Sequence, residues 1–130
     1  MRTRRSAAAT ATVAVVGTAN RVSPIFPVRD VAAALEFYAG LGFATRAYDG
    51  AEYGFAVLDD VELHLGGPPH RSEPTPHGAY LYVDDADEFA ERWTKAGADV
   101  RTPVDTPWGQ HEGVLIDLDG NIIRFGSPVS

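Results

Sequence analysis

Val28-Arg29-Asp30-Val31-Ala32-Ala33-Ala34-Leu35-Glu36-Phe37-Tyr38-Ala39-Gly40-Leu41-Gly42 has a counterpart 55 positions later, Val83-Asp84-Asp85 through Trp93 to Gly97. In each stretch a short apolar run leads into an Asp able to accept from the free N–H groups of a helix start, and a Gly follows where a helix would end. Val31, Ala34, Leu35 and Tyr38 fall at helical spacing in the first copy. Ala86, Phe89, Ala90 and Trp93 do so in the second, leaving Asp87, Glu88, Glu91 and Arg92 for solvent. Tyr38 and Trp93 occupy equivalent places, and their spacing makes both core residues.

Beyond each helix come three strand-like pieces. The first set is Phe43–Tyr48, Tyr53–Leu58 and Val61–Leu65, with turns at Asp49-Gly50 and Asp59-Asp60. The second set lies near Asp99–Arg101, Glu112–Asp117 and Asn121–Phe125, with Asp119-Gly120-Asn121 as the hairpin turn. Here the offset is 60, which pairs His64 with Arg124 and Leu65 with Phe125. The simplest account is two copies of strand–helix–three strands, about 22–66 and 78–128. The proline-rich stretch 66–77 joins them within one domain, 21–130. The expected class is α+β: paired βαβββ modules forming a cupped mixed sheet with helices outside.

Strand alternation then sorts the side chains. Phe26, Val28, Leu63, Leu65, Leu81, Ile123 and Phe125 should pack beneath the helices. Ser23, Ile25, Pro27, Glu62, His64, Gly78, Tyr80, Tyr82, Ile122 and Arg124 should face the cup. Tyr48, Tyr53, Tyr80, Tyr82 and Trp108 supply flat surfaces for stacking on planar rings. His64, Glu62, Glu112 and Arg124 supply polar anchors, and His111 falls at the rim.

Composition narrows the function. The 130 residues contain no cysteine, which excludes disulfides, cysteine-ligated metals and thiol nucleophiles. From residue 21 onward there are 18 acidic residues against 8 basic ones, the wrong balance for nucleic acid and a suitable one for cationic small molecules. No Gly-x-Ser-x-Gly elbow or phosphate-binding glycine loop is present. Residues 1–20 carry Arg2, Arg4 and Arg5 before a bland Ala/Thr/Val run. They read as a disordered or arm-like extension of a cytoplasmic protein, with an export signal as the alternative, and are too short in apolar length to span a bilayer.

Pro27-Val28-Arg29-Asp30, Ala33-Ala34-Leu35-Glu36-Phe37-Tyr38 and Leu41-Gly42-Phe43 resemble the vicinal oxygen chelate superfamily of glyoxalases, extradiol dioxygenases, fosfomycin resistance enzymes and bleomycin resistance proteins. Asp59-Asp60-Val61, Pro107-Trp108-Gly109 and Asp117-Leu118-Asp119-Gly120-Asn121 bring it nearest to the bleomycin resistance proteins. That resemblance implies a homodimer, with the N-terminal segment exchanged. It would hold an aromatic or cationic DNA-damaging antibiotic of bleomycin, enediyne or mitomycin type in a groove between subunits, without cofactor or chemistry. The ligand-contacting residues would be Trp108, Tyr53, Tyr80, Tyr82, Tyr48, His64, Glu62, Arg124, His111 and Glu112. The superfamily's metal positions carry over to Ser23, His64, Gly78 and Arg124, of which only His64 suits a metal. No metal is therefore expected. The alternative implied by the same resemblance is a lyase, isomerase or dioxygenase using His64 and Glu62.

Overall fold

A computed structural model describes residues 16–49, 52–68 and 75–130. Residues 1–15 of the extension expected over 1–20, the Gly50 turn position and the centre of the linker lie outside the described residues.

Eight strands and two helices are formed among the described residues, in the order β1 (Ile25–Pro27), α1 (Val31–Gly40), β2 (Ala44–Tyr48), β3 (Tyr53–Leu58), β4 (Val61–Gly66), β5 (Gly78–Tyr82), α2 (Ala86–Lys95), β6 (Asp99–Asp105), β7 (Gln110–Ile116) and β8 (Ile122–Pro128). They build two four-stranded sheets of identical plan, β1-β4-β3-β2 and β5-β8-β7-β6. In each, the strand before the helix runs parallel to the last strand of its unit, and the other pairings are antiparallel. The helix is the crossover that a parallel pair requires.

Both helices begin as their sequences dictate. Asp30 and Asp85 are extended N-caps whose side chains accept from Ala33 N and Glu88 N, each at 3.1 Å. Gly42 (φ +104°) and Gly97 (φ +95°) then carry the chain through the left-handed conformation that closes each helix. Ala39 O and Tyr38 O accept the backbone N–H groups of Gly42 and Phe43, and Thr94 O and Trp93 O accept those of Gly97 and Ala98. Ala34 and Tyr38 of α1, and Ala86, Ala90 and Trp93 of α2, are buried against Phe26, Leu63, Leu65, Leu81, Ile123 and Phe125. The expected division into a helix-side row and an open row is therefore observed in β4, β5 and β8.

Several strand boundaries differ from the sequence expectation, β7 beginning two residues earlier, at Gln110, and β8 running on to Pro128. β1 spans only Ile25–Pro27, because Ser23 and Pro24 lie alongside β4 without forming a ladder; a single bond joins His64 N to Pro24 O. β2 starts at Ala44, and Phe43 instead closes the α1 cap through Tyr38 O. β6 continues through Pro103 to Asp105, its pairing with β7 shifting register between Arg101 and Val104. Such an irregularity is where a strand can hold a proline, since the missing N–H costs no ladder bond.

The units are joined by the turn between β7 and β8. Asp117 accepts the backbone N–H groups of Asp119 and Asn121 through one oxygen and receives the Tyr38 hydroxyl and the Asn121 amide on the other. Asn121, wholly buried, also donates to Pro27 O at 3.0 Å and accepts from His77 N at 2.8 Å. Arg29 reaches Asp119 and Leu118 O, and Trp93 donates to Leu41 O at 3.0 Å. Pro27, assigned to the cup by alternation, is buried under this junction instead.

Candidate functional site

The open row of the first sheet is aromatic and hydrogen-bonded. Phe55 pairs across the strands with His64 on one side and Arg46 on the other, and Tyr53 with Tyr48, so all five project to one face. The Tyr53 hydroxyl lies 2.8 Å from His64 Nδ1, and His64 Nε2 lies 2.8 Å from Glu62 Oε2. In a neutral imidazole the carboxylate takes the Nε2–H, which leaves Nδ1 to accept from the phenol. Glu62 Oε1 meets Arg21 at 3.4 Å. The His64 hydrogen bond, aided by Arg21, holds the Glu62 carboxyl below its ordinary pKa. Phe55 stands edge-on to Tyr53, Tyr48 and His64, and the Arg46 guanidinium caps its ring at 4.1 Å.

The second sheet organises its open row around one carboxylate. Glu112 Oε1 accepts from the Tyr80 hydroxyl at 2.9 Å and from Trp108 Nε1 at 3.3 Å, while Oε2 lies 3.7 Å from Arg124. The Glu112 side chain is only 9% exposed. Tyr80 crosses β8 at Gly126, where any Cβ would run into its hydroxyl. Burial, and then the hydrogen bond to Glu112, push the Tyr80 phenol up to about 12. Tyr82 lies against Tyr80 with ring centroids 4.9 Å apart. Tyr82 is 76% exposed and Trp108 66%, the latter held on the β6–β7 turn by its bond to Glu112.

Two hollows flank Tyr80. One, of about 390 Å³, opens where β4 and segment 21–24 meet β5; Glu62, Tyr82 and Arg21 stand at it above Leu63, Leu81 and Ile123. The other, of about 430 Å³, is lined by Arg124, Gly78, His77 and Ile122. Arg124 and Gly78 thus share a hollow. His77 sits beside them and donates through Nδ1 to Ile25 O at 3.0 Å.

Of the residues expected at the site, Glu62, His64, Tyr53 and Tyr48 share the open face of the first sheet, and Tyr80, Tyr82, Glu112, Trp108 and Arg124 that of the second. His111 is different. Alternation turns it away from Glu112 onto the helix side, where its two nitrogens meet Asp105 at 2.8 Å and Asp87 at 2.9 Å. Those carboxylates, Asp87 first, raise its pKa above that of an ordinary histidine. Arg21, Arg46 and Phe55 were missed by sequence reading. Phe55 has the parity of Tyr53 and was legible, whereas Arg21 and Arg46 become site residues only through what they touch.

The superfamily's metal positions do not make a metal site here. Gly78 offers no donor, Arg124 is a cation, and both nitrogens of His64 are engaged. Among the described residues no group of three or more His, Cys, Asp or Glu could hold an ion.

The duplicated βαβββ plan recurs in solved structures. The bleomycin resistance determinant encoded on the transposon Tn5 superposes with a TM-score of 0.75 at 23% identity, covering 86% of this chain and 100% of the other. A glyoxalase-related enzyme from Clostridium phytofermentans gives 0.72 at 19% identity, with 88% and 98% covered. TnmS3, an antibiotic binding protein from Streptomyces sp. CB03234, gives 0.67 at 28% identity, with 87% and 100% covered. No curated protein matches by sequence. The family model for the Glyoxalase/Bleomycin resistance protein/Dioxygenase superfamily matches residues 18–125, so the repeat seen in the helices and the two like sheets have one explanation: the chain belongs to that superfamily.

Proposed function

We propose that this protein is a non-catalytic antibiotic-binding protein, which sequesters an aromatic natural product on the open faces of its sheets. The observation that carries this reading is the aromatic wall of Tyr80, Tyr82 and Trp108. Two of its three rings are largely exposed, and it is held in place by a nearly buried carboxylate. An exposed aromatic surface with fixed geometry is built for a flat guest, each stack contributing about 0.5–1.5 kcal/mol beyond burial. The likeness to TnmS3 supports it. Tyr48, Tyr53, His64 and Glu62 form the opposing wall, contributed in this reading by a second copy in a homodimer that exchanges its N-terminal segment. Among the described residues no helix is long and apolar enough to cross a membrane, and a cytoplasmic location is part of the proposal.

The test is a fluorescence titration with bleomycin-, enediyne- and mitomycin-type compounds. Stoichiometric quenching that disappears in Trp108→Phe, with the compound recovered chemically unchanged, is the expected result. Trp93 is buried and serves as the internal reference. No response to any of the three classes would sink the proposal.

A second reading is favoured by the Tyr53–His64–Glu62 chain, whose spacing suits proton transfer to or from a bound substrate. Conversion of an added compound by the wild type, lost in His64→Gln, would establish it over sequestration.

A further inference from the structure

The chain is acidic overall, yet the charges presented on the open faces are of the other sign. Glu112 is 9% exposed and accepts from Tyr80 and Trp108; Glu62 is 22% exposed and is taken up by His64 and Arg21. Glu112 is too buried, and Glu62 too fully engaged by His64 and Arg21, to offer an ammonium group an outward oxygen. The cations are arranged the opposite way. The Arg124 side chain is 52% exposed, its nearest carboxylate oxygen is 3.7 Å away, and among the described residues its guanidinium makes no hydrogen bond. Arg21 is 68% exposed, and exposed Arg46 lies over Phe55. A hidden carboxylate behind an outward guanidinium is a dipole whose positive end faces the guest. The balance of acids, by contrast, sits on helix faces and turns, where water and salt screen it.

We infer that this site selects a planar aromatic ligand carrying an acidic oxygen, a carboxylate or an ionised phenol or hydroxyquinone, with Arg124 as its receptor beside the Tyr80 ring. The inference rests on the binding role proposed above. Five donors in a fixed fork match two adjacent oxygens, and Gly78 leaves the second hollow open next to that fork. Arg124 lies at one of the superfamily's metal positions, so the guest's oxygens would meet an arginine where other members present a metal ion.

The test uses three probes sharing one ring system: anthraquinone-2-carboxylate, its methyl ester and 2-aminomethylanthraquinone. Each is titrated against wild type, Arg124→Gln and Arg124→Lys by Trp108 quenching. The wild type is expected to bind the carboxylate at least tenfold more tightly than the ester, and the amine most weakly. In Arg124→Gln the carboxylate should fall to within about twofold of the ester. Arg124→Lys should retain part of the preference, which added salt should shrink. If all three probes bind alike, if the amine binds best, or if the preference survives Arg124→Gln, the inference fails and the binding role stands. If none binds to the wild type, the inference fails, and the binding role is decided by the titration with the three antibiotic classes.

Discussion

Gly126 shows how an absent side chain assembles this site. Because nothing projects from β8 at that point, the Tyr80 ring can lie across the strand and reach Glu112. Gly126→Ala is expected to displace Tyr80, bring its phenol titration down from about 12, and release Trp108 from its common acceptor, with at least a tenfold loss of aromatic-ligand affinity. Spectrophotometric titration of tyrosine with parallel binding measurements would check this; an unmoved titration would refute it. His111 is the second informative residue. Its pKa is raised in the folded state, so its contribution to stability is fully present below the ordinary histidine value near 6.5 and is lost as pH rises through the raised value. Denaturant midpoints of the wild type, minus those of His111→Asn, should therefore decline with pH above that point. Ligand affinity should be the same in both proteins, because the side chain lies behind the sheet.

At the scale of the element, the two helices are stabilised differently. α2 places Asp87 and Glu88 in its first turn and Arg92 and Lys95 in its last, each favourable to the helix dipole, whereas α1 has no such charges. α1 relies on its Asp30 cap and on packing; Leu35, for example, lies directly over Gly54 of β3. Asp30→Ala and Asp85→Ala are each expected to cost about 1 kcal/mol in chemical denaturation. The loss at Asp30 should be the larger, because no first-turn carboxylate remains there to assist the free N–H groups. Binding should be untouched by Asp85→Ala, since α2 covers the face of its sheet opposite Tyr80 and Arg124. Both caps, both closing glycines and the apolar row of each helix were legible in the sequence, because these features depend on contacts within about four residues.

At the scale of the molecule, the Asp117–Asn121 turn makes one folding unit of two repeats. Tyr38, pushed well above the ordinary tyrosine pKa by burial and by Asp117, and Asn121 each donate to Asp117 from within the core. Removing one member leaves a buried partner unsatisfied. Asn121→Ala should therefore cost about 1–3 kcal/mol. Its denaturation should remain a single transition with an unchanged slope, because the buried side chains of both units form one hydrophobic cluster. Two separated transitions would show that the repeats fold independently.

The sequence by itself determined the duplication, the strand–helix–three-strand order, and which row of each strand meets the helices, since these follow from local periodicity and from matching offsets of 55 and 60. It also placed His64, Glu62, Tyr80 and Arg124 on open faces, by alternation alone. Only the tertiary structure decided which charges remain available there. Glu62 and Glu112 are bare polar anchors in the sequence, whereas in the fold their oxygens are hidden or taken by partners; Arg21 comes from outside the ladder, and Trp108 from a turn. His111 falls just outside the strand that the sequence shows, and it is the start of β7 at Gln110 that turns it to the helix side. The physical reason is common to all of these. A net charge is a sum over residues and can be read from a string, whereas the sign a ligand meets depends on which ends of the ion pairs face outward, and that is set by contacts between residues far apart in the chain.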